Sequence, residues 1–211
     1  MPISHDKKLI FVHIPKNAGE SVEKALGMYR GDPKQTMWGV VGKRTVLQHL
    51  TGVELRDRIG DEAIWNGYFK FAIVRNPWSK AVSEYNWYLR FGPKCDFETW
   101  ARSLYHRIPI NKTISIYEIG HNLPQVRFIL DEKGALMMDK VLRFETIAQD
   151  FAQAMQQCGL SAELEHTVAT ASKRTGGFQS YYDAETIEII EDVYREDIQY
   201  LGYGRQETFG T

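Results

Sequence analysis

The sequence predicts an α/β fold: a central, mostly parallel sheet flanked by helices, in a single domain over residues 1–211. Three observations predict it. Two short apolar runs, Leu9 to Ile14 and Tyr68 to Val74, are continuous enough to be strands buried on both faces. Each meets a proline-bearing turn and then a segment with helical apolar spacing, and two strand–turn–helix units are the pattern of an α/β layer. The length, 211 residues, is also what one domain of roughly 150 residues with some elaboration would give.

Taken in order, Pro15 to Gly19 breaks the first run, and Glu20 to Tyr29 carries Val22, Ala25, Leu26 and Tyr29 on one side of a helix. Gly31, Asp32 and Pro33 end it. Glu54 to Trp65 reads as helical, interrupted at Gly60 and Asp61. After the second run, Pro77 suits a first helical turn, and Trp78, Val82, Tyr85 and Leu89 follow at helical intervals. Phe97 to Tyr105 is a further helix. Val126 to Leu130 and Lys140 to Phe144 read as two strands joined by a turn at Asp131 to Gly134. Glu145 to Cys158 is a helix ending at Gly159, and residues 163–181 are a polar loop. Asp183 can cap a last helix carrying Ile187, Ile190, Tyr194 and Ile198.

Composition excludes several classes of function. Lys plus Arg number 26 and Asp plus Glu 27, for a net charge of −1, with 43% apolar and 25% charged residues. That is an ordinary globular mix, not a disordered tail. It lacks the basic excess of a general duplex-binding protein, so no nucleic-acid partner is expected. No run approaches the ~18 apolar residues of a membrane span. The apolar run after Lys7 and Lys8 reaches only four residues before His13, short of the ~7–15 of a signal peptide core. Cys95 and Cys158 make neither a disulfide framework nor a metal motif, which points to a reduced, cytoplasmic setting.

Two turns carry candidate chemistry. Residues 11–21 read FVHIPKNAGES. A strand entering a tight turn and then a helix presents unpaired N–H groups and a partial positive charge, which favour an anion. Gly19 permits close backbone approach, Lys16 adds a charge and Ser21 a hydroxyl. A plain strand-to-helix turn with a solvated lysine would read similarly. A Walker A loop places its lysine late, as GxxxxGK before Ser or Thr, and no such run occurs. Residues 75–83 read RNPWSKAVS, with Arg75 at the carboxyl end of the second strand, where α/β sheets bind ligands. Its fork suits a phosphate, and Ser83, two helical turns on, can support it.

Together the two motifs resemble those of sulfotransferases that use 3′-phosphoadenosine 5′-phosphosulfate (PAPS). The first is similar to the 5′-phosphosulfate loop and the second to the 3′-phosphate motif. The branch most similar is the carbohydrate type, including heparan sulfate 2-O-sulfotransferases, with which Tyr88 to Gly92 (YLRFG) shares a stretch, and its small bacterial relatives. VLRFE at 141–145, YYD at 181–183, and Tyr194, Asp197 and LGY at 201–203 extend the resemblance across residues 8–203. Relatives commonly read PKTAGTS, and here Asn17 and Glu20 replace the two threonines. Glu20 reads as a helix-start residue facing solvent, where a carboxylate favours the helix dipole.

The resemblance implies a P-loop-like sulfotransferase fold and sulfuryl transfer from PAPS to a hydroxyl acceptor, a sugar or glycan, with no metal. It implies that Lys16 stabilises the departing phosphate and that the backbone of Asn17, Ala18, Gly19, Glu20 and Ser21 holds phosphate and sulfonate oxygens. Arg75 and Ser83 bind the 3′-phosphate, and Lys173 and Arg174 fold over it from the polar loop. The base is sought among His5, His13, His49, His106, His121 and His166; His49, in LQHLT at 47–51, is similar in place to a family histidine and is taken as the base. The alternatives are a small kinase or a nucleotide-binding module without catalysis. The aromatic residues around Tyr85 are expected mostly to be core, with one or two lining the acceptor cleft. A charge balance near zero disfavours a broad basic face for a highly sulfated polymer.

Overall fold

A computed structural model describes residues 3–28, 40–41, 45–107, 120–164 and 176–210. The two apolar runs form neighbouring parallel strands, β2 (Leu9–Val12) and β5 (Phe69–Val74), in register from Leu9 with Phe69 to Val12 with Ala72. A third parallel strand, β6 (Lys140–Arg143), pairs with the other edge of β5, Val74 opposite Arg143. A short antiparallel strand, β1 (Ile3–Ser4), completes the order β1-β2-β5-β6. A separate ribbon joins β3 (Val40–Val41) to β4 (Thr45–Val46).

Alternation along the central strands divides the core into two layers. Ile10, Val12, Ala72 and Val74 pack with Trp78, Trp100, Phe128 and Ile190 on one face. Leu9, Phe11, Phe71, Ile73 and Leu142 pack with Val22, Leu26, Phe151 and Met155 on the other. Both faces are dry, which is why these strands read as continuous apolar runs rather than alternating ones.

The helices flank the sheet. α1 (Gly19–Ala25) follows β2. α2 (Gly52–Ile59), with a capping box between Thr51 and Glu54, and α3 (Glu62–Gly67), capped by Asp61, lie on either side of the Gly60 break. α4 (Pro77–Phe91) follows β5, capped by Asn76 with Pro77 in its first turn. α5 (Phe97–Arg107), α6 (Val126–Ile129) and α7 (Ile147–Gln157) come next. The chain closes with α8 (Ala184–Val193), α9 (Arg195–Leu201) and α10 (Arg205–Phe209).

Three expectations are corrected. Val126 to Leu130 is a helical turn with only a bridge from Leu130 to Leu136, not a strand. Its short apolar run is ambiguous by pattern, and the buried Asp197 carboxylate settles it by accepting the N–H groups of Gln125 and Val126, both at 2.9 Å. The last helix divides at Tyr194 into α8 and α9, although Asp183 caps α8 as its sequence suggests. Residues 178–181 form a 3₁₀ turn inside the segment read as loop.

Candidate active site

Parallel register brings the carboxyl ends of β2, β5 and β6 to one edge, and the segments leaving them meet there. The loop after β2 is tightly wound: Lys16 has φ 67° and Ala18 φ 63°. This left-handed conformation is costly for residues with a Cβ, and it turns successive N–H groups toward a common side. The first bonds of α1 are Ser21 N–H to Ala18 O (3.0 Å) and Val22 N–H to Ala18 O (3.2 Å). Gly19 and Glu20 thus precede the first helical bond, while the Ser21 N–H is engaged and its contribution is the hydroxyl. Glu20 is exposed in the first turn, as its sequence position suggests.

Asn17 has a different task from the one its place in the loop suggests. Its side chain is buried and donates to Ile73 O (2.8 Å) and Gln125 Oε1 (2.7 Å), stitching the loop to the end of β5. Only its backbone remains for a ligand. Its Oδ1 is buried without a hydrogen-bond partner.

Arg75 is 5% exposed. Its Nε donates to Ser79 Oγ (2.9 Å), its Nη1 to Lys16 O (3.1 Å), and its guanidinium lies 4.0 Å from the centre of the Phe144 ring. Burial pulls the group down to about 10, partly opposed by Glu145 and Tyr203, so it remains cationic near neutrality. Ser83, also buried, is one turn beyond Ser79 on the same side of α4. Gln125 ties the two turns together: its Oε1 accepts from Asn17 and from Arg75 N–H (2.8 Å), and its Nε2 donates to Arg75 O (2.8 Å). Gln125 carried no sequence signal, because it belongs to no motif of recognisable spacing; Ser79 lies inside RNPWSKAVS, one helical turn from Arg75, but the resemblance points to Ser83 instead.

Three histidines line the same edge. His49 Nδ1 lies 3.1 Å from His13 O. A carbonyl only accepts, so Nδ1 carries the proton and Nε2 keeps its lone pair. The His49 ring meets His13 edge-on at 4.7 Å and His121 at 5.2 Å. Burial holds His49 well below the usual histidine range, and His13 and His121 push the same way. His13 donates to Glu23 Oε1 (2.9 Å) and His121 to Glu84 Oε1 (2.8 Å). His13 also packs against Gly19, where an added Cβ would fall 1.9 Å from Nε2. Lys16 Nζ lies 6.0 Å from the Trp87 ring, and Trp87 stacks on His121 at 4.3 Å. Burial lowers the Lys16 ammonium; Arg90 and Arg75 add to this, whereas Glu84 and Glu20 oppose it.

The arrangement thus gathers Lys16, Ser21, Arg75 and His49 around one strand edge. Lys173 and Arg174 lie outside the described residues. Among the described residues no group of three His, Cys, Asp or Glu is placed to hold a metal ion. None of their helices is long and apolar enough to cross a membrane.

A family model described as the sulfotransferase family matches residues 1–204. The chain belongs to the sulfotransferase family. An uncharacterized protein of Archaeoglobus fulgidus is similar to this sulfotransferase, 30% identical over 120 residues, which are 56% of this chain and 89% of the relative. No solved structure matches. Sulfuryl transfer to a hydroxyl is the reaction class of the family, and the helix-flanked, mostly parallel sheet is consistent with its fold.

Proposed function

We propose that this sulfotransferase moves the sulfuryl group of PAPS onto a hydroxyl of a carbohydrate acceptor. The observation that carries the reading is that Arg75 Nη1 bonds to the carbonyl of Lys16 (3.1 Å), so the two cationic turns share one edge, with His49 tied to the same loop through His13 O. The donor set fits the nucleotide: an ammonium, a guanidinium, serine hydroxyls and N–H groups ahead of a helix all favour an anion. Lys16, the backbone of residues 17–20 and the Ser21 hydroxyl would hold the 5′-phosphosulfate, and Arg75 and Ser83 the 3′-phosphate. The basic pair Lys173 and Arg174 would close over that phosphate. Bound there, PAPS supplies the sulfuryl group and a phosphate leaving group.

His49 Nε2 takes the proton of the acceptor hydroxyl as its O–H bond breaks. The acceptor oxygen gains a bond to sulfur, and the sulfur–oxygen bond to the phosphate breaks with its electron pair leaving on the phosphate. Lys16 offsets the charge gathering there. Trp87, beside Lys16 and His121, lines the acceptor side. The reading extends to residues 1–211 as one domain working in the cytoplasm without a metal. The supports for that setting are two cysteines in a chain of this length and the composition of the sequence.

The test has two arms. Adenosine 3′,5′-bisphosphate should raise the melting temperature, as any ligand of the folded state must. Stabilisation by Mg-ATP alone would replace this reading with a kinase. Release of the bisphosphate from PAPS over a saccharide panel then measures turnover. His49→Ala should lower it by about 10² or more while bisphosphate stabilisation persists. Lys16→Ala should weaken both, and wild-type behaviour in that variant would remove the cradle.

A further inference from the structure

Beside His49 stands a second pair that the transfer reaction as described does not use. His121 is held on three sides by one helix. Residues 80, 84 and 87 of α4, spaced i, i+4 and i+7, share a face. Lys80 Nζ donates to His121 O (2.8 Å), Glu84 Oε1 accepts from His121 Nδ1 (2.8 Å), and Trp87 stacks on the ring at 4.3 Å with planes 23° apart. The ring so fixed meets His49 at 5.2 Å and 83°. Glu84 is 3% exposed, and its second oxygen, Oε2, is buried without a hydrogen bond. A buried carboxylate oxygen is costly to leave unbonded, so the fold tolerates an expense at this position that packing alone would not demand.

The corresponding pair on the other side differs. His13 also gives its Nδ1 proton to a buried carboxylate, that of Glu23, but Gln48 Nε2 donates to both Glu23 oxygens (3.3 and 3.2 Å). Both Glu23 oxygens are therefore hydrogen-bonded. Glu84 keeps one oxygen unbonded, and its charge offsets the burial of both Lys16 and Lys80. One carboxylate thus faces the lysine of the phosphosulfate loop and, through His121, the base.

We propose that Glu84, acting through His121, is a positioning residue for the His49 base: it fixes the adjoining ring and supplies negative charge that favours the proton taken up by His49. The inference rests on the reading of His49 as base. As His49 Nε2 takes the acceptor proton, a positive charge forms in a buried place beside two other imidazoles. Hydrogen-bonded to a carboxylate, His121 presents a more electron-rich ring to that charge. Among the described residues the groups facing the pair are His13 with Glu23 behind it, Gln48, and Lys80, Glu84 and Trp87 of α4, with Lys16 over Trp87.

The test is a pH titration of the histidine ring nitrogens by ¹⁵N NMR on the full chain. It needs neither donor nor acceptor, so it is decided apart from the sulfuryl-transfer reading, which the His49→Ala kinetics decide. The measured quantity is the midpoint of proton uptake at the His49 ring. Glu84→Gln keeps the shape and an acceptor oxygen but removes the charge, and should lower that midpoint by about one pH unit or more. Glu84→Asp keeps the charge, and should leave the midpoint nearer wild type. A purely structural Glu84 predicts the reverse order, with the isosteric Gln harmless and the shorter Asp disruptive, and that order would overturn the proposal. Should Glu84→Gln not fold, because Lys80 loses its buried counter-charge, Lys80→Met with Glu84→Gln restores neutrality. Measured against Lys80→Met alone, the double variant should show the same drop in midpoint, and an unchanged midpoint between those two refutes the proposal.

Discussion

The loop after β2 and the turn after β5 lie side by side at the same sheet edge, yet they are held differently. The first enters α1 with no side-chain cap, and both Lys16 and Ala18 stand at positive φ. The second enters α4 through Asn76, whose side chain accepts the N–H groups of Trp78 and Ser79 (both 3.1 Å), with Pro77 at the start of the helix. Glu145 also accepts the Asn76 N–H (2.8 Å) and Tyr203 OH (2.9 Å). The second turn is thus capped by its own residues and braced by Glu145 and Gln125. The first is imposed from outside, by Gln125 on Asn17 and by Arg75 on the Lys16 carbonyl. A loop held by its neighbours can bring Lys16 to a ligand in a conformation its own residues would not choose.

Gln125 is the place to break the comparison, since it serves both turns. Gln125→Leu leaves the buried Arg75 N–H without its acceptor and deprives Asn17 of one of two. At about 1–3 kcal/mol for each orphaned group, the loss should be about 3 kcal/mol by urea denaturation. Stabilisation by adenosine 3′,5′-bisphosphate should fall as well, because the spacing of the two turns is no longer fixed. A variant that melts like wild type would show that the turns are independent.

Next in size is Gly19→Ala, which acts on the first loop alone. The new Cβ falls 1.9 Å from His13 Nε2, and that ring cannot swing away, being stacked on Phe11 and bonded to Glu23. Overpacking of this kind costs about 1–3 kcal/mol. His49 hangs from His13 O, so turnover should fall with stability. Unchanged kinetics would mean that the base is positioned by other contacts.

A pH series sharpens the same point. The folded-state value of His49 is depressed by burial, so below about 6.5 the unfolded chain binds a proton that the native state refuses. Its contribution is therefore present above that pH and lost as pH falls below it, with a slope of at most about 1.4 kcal/mol per pH unit. His49→Gln should flatten the stability curve between pH 6.5 and 5. An equally steep curve would assign the acid sensitivity elsewhere. On the second turn, Asn76→Ala should cost about 1 kcal/mol for the lost cap and leave the His49 titration untouched.

The same contrast explains what could be read from the sequence. β2, β5, α4 and the Arg75 turn follow from local signals: apolar runs, Asn76 and Pro77 at a helix start, helical spacing of Trp78, Val82 and Tyr85. Asp183 and the Gly60 break were equally legible. Gln125 and the clamp of Lys80, Glu84 and Trp87 on His121 were not, because they join segments distant in the chain. Asn17 illustrates the difference. In sequence it is one more polar residue of a phosphate loop, but in the fold its amide is consumed by Ile73 O and Gln125. Val126 to Ile129 fails for the same reason, since the carboxylate that makes it helical comes from Asp197.

The smallest expected effect tests whether the first loop is strained at all. Ala18 adopts φ 63° and ψ 19°, a conformation that disfavours an L-residue by about 1–2 kcal/mol. Ala18→Gly removes that penalty but frees the unfolded chain, which returns about 0.5–1 kcal/mol to the unfolded state. The net should be a gain of about 0.5 kcal/mol, read as a small rise in the denaturation midpoint. Binding of adenosine 3′,5′-bisphosphate should move the other way, since the free loop would no longer be held ready by its neighbours. A variant that loses stability would show that the loop sits comfortably in this conformation, and that the difference between the two turns lies in their caps alone.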